Sequence, residues 1–190
     1  MADDENRRRF ERLALPHLDA AYNLARWLTH NDHDAQDVVQ EAFERAMRYI
    51  GTFRGDNARA WLLQTVRNTC FTWLKENRPA ERLCLDEADD AHELAAPAAD
   101  EPSAQAMRKA DRQQVNRAIA DLPVVYREVL VLRELEELSY GEIARVVDIP
   151  MGTVMSRLSR ARALMREALA PAARPLLRPV PRTTQRGGTL

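Results

Sequence analysis

The chain of 190 residues carries 28 lysines and arginines against 29 aspartates and glutamates, and 45% of its residues are hydrophobic. This length suffices for one ordinary domain or two small ones. No apolar run approaches the roughly 20 residues of a membrane-spanning helix, and the segment MADDENRRRF lacks the apolar core and cleavage site of a secretory signal. We therefore expect a cytoplasmic protein that does not insert into membranes.

The N-terminal part follows a helical period of apolar residues, which predicts a bundle of at least three helices. The first predicted helix covers Arg7 to Leu28, and Pro16 is expected to divide it. The second runs from about Asp34 to Ile50. The segment GTFRGDN, from Gly51 to Asn57, has the residues of a loop, and a third helix is predicted from Ala58 to about Asn77.

The composition changes after Pro79 to Ala, Asp, Glu and Pro with little periodicity, which predicts a flexible linker. Residues 86–101 carry seven acidic residues and no Lys or Arg. A second helical block is predicted from about Ser103 to Ala170. Residues 171–190 form a Pro-rich, basic tail that we expect to be disordered.

The second block contains two amphipathic helices in LSYGEIARVVDIPMGTVMSRLSRARALMREAL, Leu138 to Leu169, and these predict a helix-turn-helix. Ala144 allows the helices to approach closely, and Val154 supplies the apolar contact across the turn. Asp148 stands where a left-handed residue is needed. Pro150 suits the first turn of the following helix, and Thr153 is expected to cap or support that turn.

The second helix of this motif presents polar and basic residues outward near its N-terminal end, where a major groove would accept them. The alternative is an ordinary helical hairpin with a solvated basic face. The candidate residues for duplex DNA are Thr153, Met155, Ser156, Arg157, Ser159 and Arg160.

Together these motifs resemble the extracytoplasmic-function (ECF) group of bacterial sigma factors. DAQDVVQEAFERAMRYIGTFRGDNARAWLLQTVRNTCFTWLKENR, Asp34–Arg78, is similar to the family's region 2, and LPVVYREVLVLRELEELSYGEIARVVDIPMGTVMSRLSRAR, Leu122–Arg162, is similar to its region 4. The resemblance implies an all-α chain with region 2 in residues 1–80, an acidic linker in 81–106, region 4 in 107–170 and the tail in 171–190.

The resemblance also implies a function in transcription initiation. Such a chain binds core RNA polymerase through its β′ and β subunits, directs it to promoter DNA and helps open the minus-ten region. It is a monomer when free, it associates with the nucleoid when bound to polymerase, and it is commonly inhibited by an anti-sigma factor as part of a stress response. No cofactor, metal or small-molecule substrate is expected.

The family resemblance assigns site residues by position. Core polymerase would be bound by Asp34, Asp37, Gln40, Glu41, Glu44 and Arg45. The single strand of the minus-ten element would be bound by Phe53, Arg54, Asn57, Arg67, Asn68, Phe71 and Lys75. The outward residues of the recognition helix would bind the minus-thirty-five duplex, where Met155 departs from the Arg or Lys that family members commonly carry. The acidic linker would mimic RNA charge in the polymerase or serve as a solubilising spacer.

Other functions remain open from the residues. Cys70 and Cys84 stand alone, which indicates neither a zinc site nor a disulfide framework. A metal site at His30, His33 and Asp32 or Asp34 is an alternative to a capped turn, for which THNDHD also has the residues. No signature of an enzyme appears. The main rival is a stand-alone helix-turn-helix regulator that binds operators, for which residues 34–78 have no need.

Overall fold

A computed structural model describes residues 2–78 and 104–170 of the chain, and within these ranges every regular element is helical. The prediction of an all-α fold is therefore confirmed. Residues 79–103 and 171–190, which contain Cys84, the predicted tail and the predicted linker 81–106 up to residue 103, lie outside the described residues, and residues 104–106 belong to a helix. The α-helices are α1 (Ala2–Ala14), α2 (Leu18–Thr29), α3 (Asp32–Tyr49), α4 (Ala58–Asn77), α5 (Ala104–Ala120), α6 (Val124–Glu134), α7 (Tyr140–Val147) and α8 (Met151–Leu169).

The first helical block consists of α1 to α4. Pro16 lies in a short 3₁₀ turn, Leu15–His17, that separates α1 from α2, so the predicted division of the first helix is confirmed. Asn31 caps α3 by accepting hydrogen bonds from the backbone N–H groups of His33 and Asp34. His30, with φ 59°, makes the preceding left-handed turn. The predicted capped turn at THNDHD is thus confirmed.

The second helical block consists of α5 to α8. Residues 124–132 of α6 are all buried, so this helix is covered by neighbouring elements on every side in the described part of the chain. The block is interrupted at Pro123, near Glu137 and again between Asp148 and Pro150, and Asp148 is left-handed at φ 58°, ψ 53°, as predicted. Pro150 lies at the N-cap of α8, one position before the predicted first turn.

The turn of the helix-turn-helix is closed by apolar contact and backbone hydrogen bonds. Val154 is fully buried with Ile143 and Val147 in one cluster, as the sequence predicts. Thr153 supports the first turn of α8 through its backbone N–H, which donates to the Pro150 carbonyl at 2.9 Å. No side-chain cap forms there, so the alternative of a capping Thr153 side chain is wrong.

The two blocks pack against each other, α2 on α6 and α4 on α7. Their buried apolar residues form one continuous cluster that includes Leu28 and Val66 from the first block and Val129 and Ile143 from the second. A smaller cluster around Phe10, Ile50 and Leu62 belongs to the first block alone. The sequence predicts two separate helical modules but gives no indication that they share a core.

Candidate nucleic-acid interface

The polar face of α3 is open to solvent. Asp37, Gln40, Glu41 and Glu44 are exposed, while Asp34 and Arg45 are half-buried. Arg45 donates to Glu41 at 2.7 Å, and Gln40 donates to Glu44 at 3.2 Å. These pairs are one helical turn apart on the surface, so they hold the side chains in place with little stabilisation. The six residues predicted to bind polymerase therefore form one accessible, mainly acidic ridge.

The loop before α4 is held by aromatic and backbone contacts. The Phe53 ring packs on Trp61 with ring centroids 4.9 Å apart, and Arg9 donates to the Phe53 carbonyl at 2.6 Å. Arg54 is exposed and donates to the Gly51 carbonyl at 2.6 Å. Trp61 packs against the smaller core cluster of the first block. Phe53 is thus half-buried on the first block rather than free to stack.

The residues of α4 that are predicted to bind single-stranded DNA differ in accessibility. Asn68 and Lys75 are exposed. Phe71 is half-buried beneath the guanidinium of Arg67, which lies 3.9 Å from the ring centroid. Arg67 faces the second block, where its Nε donates to Glu128 at 2.9 Å. Asn57 caps α4 by accepting from the Ala60 backbone N–H and donates to Glu142 at 2.7 Å.

The predicted DNA-binding residues of the recognition helix α8 do not all face the same surroundings. Ser156 and Arg160, one turn apart, are exposed, and Thr153 is half-buried. Met155 and Ser159 are also exposed, but they border a largely apolar groove of about 750 Å³ formed with α5 and α6. Arg157 donates to Glu128 at 3.3 Å and is directed toward the block interface.

Glu128 contacts both α4 and α8, the two helices proposed to bind DNA. It was not predicted from the sequence as a site residue. Its side chain is 0% exposed and accepts from Arg67 of the first block and Arg157 of the second. Burial raises the pKa of Glu128, while the neighbouring charges of Arg67 and Arg157 oppose that change. The charged residues Arg127 and Glu128 within the otherwise apolar run VVYREVLVL are the signal that was available, but they do not identify partners on α4 and α8.

Two further carboxylates of the second block accept hydrogen bonds from the first. Glu136 is 7% exposed and accepts from Arg59 at 2.9 Å and Asn23 at 2.5 Å. Glu142 accepts from Asn57. The Ser139-x-x-Glu142 capping box was visible in the sequence, but its partner Asn57 was not.

Side chains of the alternative metal site are paired with other residues. Asp32 accepts from Arg26 at 2.7 Å, and His33 lies 3.2 Å from Asp37. Among residues 2–78 and 104–170, no three His, Cys, Asp or Glu side chains are grouped so that they would hold a metal ion. Within the same ranges, none of the helices is both long and apolar enough to cross a membrane.

Comparison with known proteins assigns each block to a described module. Residues 13–79 match the model of sigma-70 region 2, and residues 112–165 match the model of sigma-70 region 4. The chain is 37% identical over 180 residues to the RNA polymerase sigma-H factor of Pseudomonas aeruginosa, covering 91% of this chain and 90% of that protein. The chain belongs to the ECF family of RNA polymerase sigma factors.

Other relatives of this ECF sigma factor agree with the assignment. It is 39% identical over 150 residues to the ECF RNA polymerase sigma-E factor of Escherichia coli K12, covering 76% of each chain. Its structure is similar to that of sigma factor RpoE, solved with the anti-sigma factor NepR from Bartonella quintana, with a TM-score of 0.63, 27% identity, and coverage of 84% of this chain and 96% of that one. CnrH, solved with the cytosolic domain of CnrY, gives a TM-score of 0.61 at 27% identity, covering 88% and 92%.

Proposed function

We propose that this ECF sigma factor binds core RNA polymerase through its first block, directs it to promoters through its second, and helps to open the minus-ten region. The observation that carries the proposal is the presence, in one chain and in the family's order, of an exposed acidic ridge on α3 and a helix-turn-helix with Ser156 and Arg160 exposed. A stand-alone regulator that binds operators does not need the acidic ridge on α3.

The ridge on α3 is the proposed contact with the β′ subunit of polymerase. Asp37, Glu41 and Glu44 are exposed and close enough to act as one negative surface. Opposite charge on the partner speeds association and makes it sensitive to salt. Two shallow apolar hollows beside Gln40 and Phe43 extend this surface, and Leu15 and Leu18 at its edge are 49% and 43% exposed. Docking therefore combines charge attraction with apolar burial.

The loop and α4 are the proposed site for the unpaired minus-ten strand. Exposed Arg54, Asn68 and Lys75 offer hydrogen-bond donors, and two of them are charged. Phe53 and Phe71 complete the aromatic part of the predicted set, but Trp61 packs on the first ring and the Arg67 guanidinium covers the second, so bases can stack there only after these contacts open. Asn57 and Arg67 also belong to the residues predicted to bind the single strand. They become available to DNA when Glu142 and Glu128 of the second block release them.

The N-terminal half of α8 is the proposed reader of the minus-thirty-five duplex. Arg160 and Ser156 supply donors for base edges and phosphates. Met155 has no donor, so its contact with DNA would be apolar, for example with a thymine methyl. Family members commonly carry Arg or Lys at this position. We infer that this protein prefers a different promoter sequence from theirs.

The same proposal covers the remaining properties of the chain. It acts without catalysis of its own, in the bacterial cytoplasm, as a monomer that joins the nucleoid with polymerase. An anti-sigma factor is expected to bind it, as NepR binds RpoE in the structurally similar complex. In this proposal residues 1–80 are the region 2 domain, 81–106 the linker, 107–170 the region 4 domain and 171–190 the tail.

The test is transcription from a promoter library by core enzyme freed of other sigma factors, with and without the purified chain. Sequencing of transcript starts should reveal starts that depend on this protein and share upstream elements. The absence of such starts, combined with tight binding of the free chain to duplex operators, would favour the stand-alone regulator.

A further inference from the structure

Two methionines are exposed on the recognition helix α8. Met151 is the first residue of the helix and is 50% exposed, and Met155, one helical turn later, is 45% exposed. Val154 and Leu158 pack α8 into the core, so the orientation of the helix that exposes both methionines is fixed. Contact of such side chains with another apolar group is favourable, because it removes apolar surface from water.

The apolar groove beside α8 does not account for both side chains. Met155 borders the groove of about 750 Å³ that α8 forms with α5 and α6, but Met151 lies outside it. The methionines instead adjoin the residues proposed to contact DNA, since Ser156 follows Met155 directly and Arg160 lies one turn further, both exposed. Met151 and Met155 thus form a methionine row beside a polar row on the same exposed surface of α8.

The first turn of α8 is fixed by hydrogen bonds and open to an approaching surface. The backbone N–H groups of Thr153 and Val154 donate to the Pro150 carbonyl at 2.9 and 3.1 Å. Gly152 has no side chain, and a Cβ there would meet no described atom beyond its own turn within 4 Å. A large surface such as a DNA groove can therefore reach the methionine row without displacing any described residue.

The major groove of DNA offers one apolar group, the methyl at C5 of a pyrimidine, which thymine carries and cytosine carries when it is methylated. A thioether donates no hydrogen bond and has no charge, so it discriminates among bases by apolar contact, to which its flexible chain adapts. Four residues of α-helix rise about 6 Å, and stacked base pairs are about 3.4 Å apart. The methionine row therefore spans about one or two base-pair steps.

We propose that Met151 and Met155 recognise C5-methyl groups of pyrimidines at two positions of the minus-thirty-five duplex, about one or two base pairs apart. Met151 is thereby a specificity residue beyond those predicted from the sequence. Each contact removes about one methyl group from water, which corresponds to about a fourfold change in affinity. The inference rests on the proposed function, because it requires that α8 enters the major groove of a promoter.

The experiment changes the methyl group at one base at a time. The complex of core polymerase with the full-length chain is titrated with labelled duplexes that carry the upstream element recovered from the promoter library. Each pyrimidine of this element is in turn thymine, uracil, cytosine or 5-methylcytosine, and the Kd is measured by fluorescence anisotropy. Thymine differs from uracil only by the C5-methyl group, and 5-methylcytosine differs from cytosine in the same way. Each pair therefore gives the contribution of the methyl group with the hydrogen-bonding edge unchanged.

The variants are Met151→Ala, Met155→Ala and the control Val115→Ala, which shortens a 37% exposed apolar side chain on α5. Alanine is a good helix former at all three positions, and circular dichroism checks folding. The wild type should bind about fourfold more weakly without the methyl group at two positions. Met151→Ala should lose this effect at one position and Met155→Ala at the other, while Val115→Ala should keep both.

The two pairs of bases identify the source of the methyl group. An effect in the thymine pair alone would assign thymine, and an effect in the cytosine pair alone would assign methylated DNA, and either supports the proposal. A wild type that is insensitive to every C5-methyl group, or alanine variants that respond as the wild type does, would overturn it. Weaker binding of both alanine variants to core polymerase, with the methyl effects intact, would assign the methionine row to a protein contact and would also overturn it.

The transcription assay separates this proposal from the one on which it rests. Starts that depend on the chain, combined with the absence of methyl effects, would leave the proposed function intact and reject recognition by the methionine row. An absence of starts would reject the proposed function. The same methyl comparison is then made with the free chain on duplexes that it selects from a random pool, because a stand-alone regulator would also insert α8 into the groove.

Discussion

Asn57 and Glu142 lie 85 positions apart in the chain, yet the Asn57 side-chain amide donates to the Glu142 carboxylate at 2.7 Å. The same Asn57 side chain accepts from the backbone N–H of Ala60 and so begins α4, while Glu142 closes the capping box that begins α7. Two helix N-termini, one in each block, are thereby joined by a single hydrogen bond. The residues that fix local structure here are also the residues that connect the blocks.

Substitution of Asn57 separates these two functions. Asn57→Ala removes the cap and the hydrogen bond between the blocks, and should lower the free energy of unfolding by about 1 kcal/mol or more. Asn57→Asp keeps a capping oxygen but places a carboxylate against Glu142, so it should weaken the block interface and spare α4. Denaturant unfolding and amide exchange of α4 check both. Asn116→Ala, at an exposed position within α5, is the control. If Asn57→Ala unfolded like the control, the capping role would be wrong.

The capping box of α7 should make stability depend on pH. Hydrogen bonds from the Ser139 side chain and backbone lower the pKa of Glu142 below its ordinary value of 4.5. A carboxyl group with a lowered pKa in the folded state stabilises the fold above its unfolded pKa, and this contribution is lost as the pH falls through the folded value.

Glu142→Gln should therefore be less stable than the wild type near neutral pH, and the difference should shrink as the pH falls below 4.5. The measurement is the free energy of unfolding of both proteins over this range of pH. A difference that stayed constant with pH would show that the charge of Glu142 contributes nothing.

The left-handed residue of the helix-turn-helix gives a prediction about backbone strain. Asp148 has φ 58°, a region in which Ala is strained and Gly is not. Asp148→Ala should lower the free energy of unfolding by about 1 kcal/mol, while Asp148→Gly should be no less stable than the wild type. Thermal denaturation of the three proteins checks the order. Equal loss in both variants would mean that the Asp side chain, not the backbone, is what matters there.

The turns at Asn31 and Asp148 show which features can be predicted from the sequence. The bounds of α4, the left-handed Asp148 and the capped turn at THNDHD depend on neighbouring residues and were predicted correctly, whereas α1 begins at Ala2 instead of the predicted Arg7. The contacts of Asn57, Arg67 and Arg157 depend on how two blocks separated by residues 79–103 come together. No local pattern encodes such a pairing. Glu128 lies beside Arg127 within an otherwise apolar stretch of its helix, and only the packing of α4 and α8 gives its carboxylate the partners Arg67 and Arg157.

The recognition helix yields a prediction about promoter specificity. Arg160→Ala should weaken promoter binding by the polymerase complex by about 1–3 kcal/mol if Arg160 contacts a base edge, and the loss should depend on the base at one position of the upstream element. The measurement is complex formation on promoter variants by gel shift. Arg145→Ala, an exposed arginine on α7, is the control. A loss equal for every sequence would assign Arg160 to a phosphate instead.

The central claim, that this chain joins core polymerase through the acidic ridge of α3, is tested most directly by the affinity of the full-length protein for core enzyme. Glu41→Arg reverses a charge on the ridge, and Glu11→Arg reverses an exposed charge on α1 as the matched control. We expect tight, salt-sensitive binding by the wild type and the control, and binding weakened about tenfold or more by Glu41→Arg. If the wild type failed to bind core enzyme, or if Glu41→Arg bound as tightly as Glu11→Arg, the account would be contradicted.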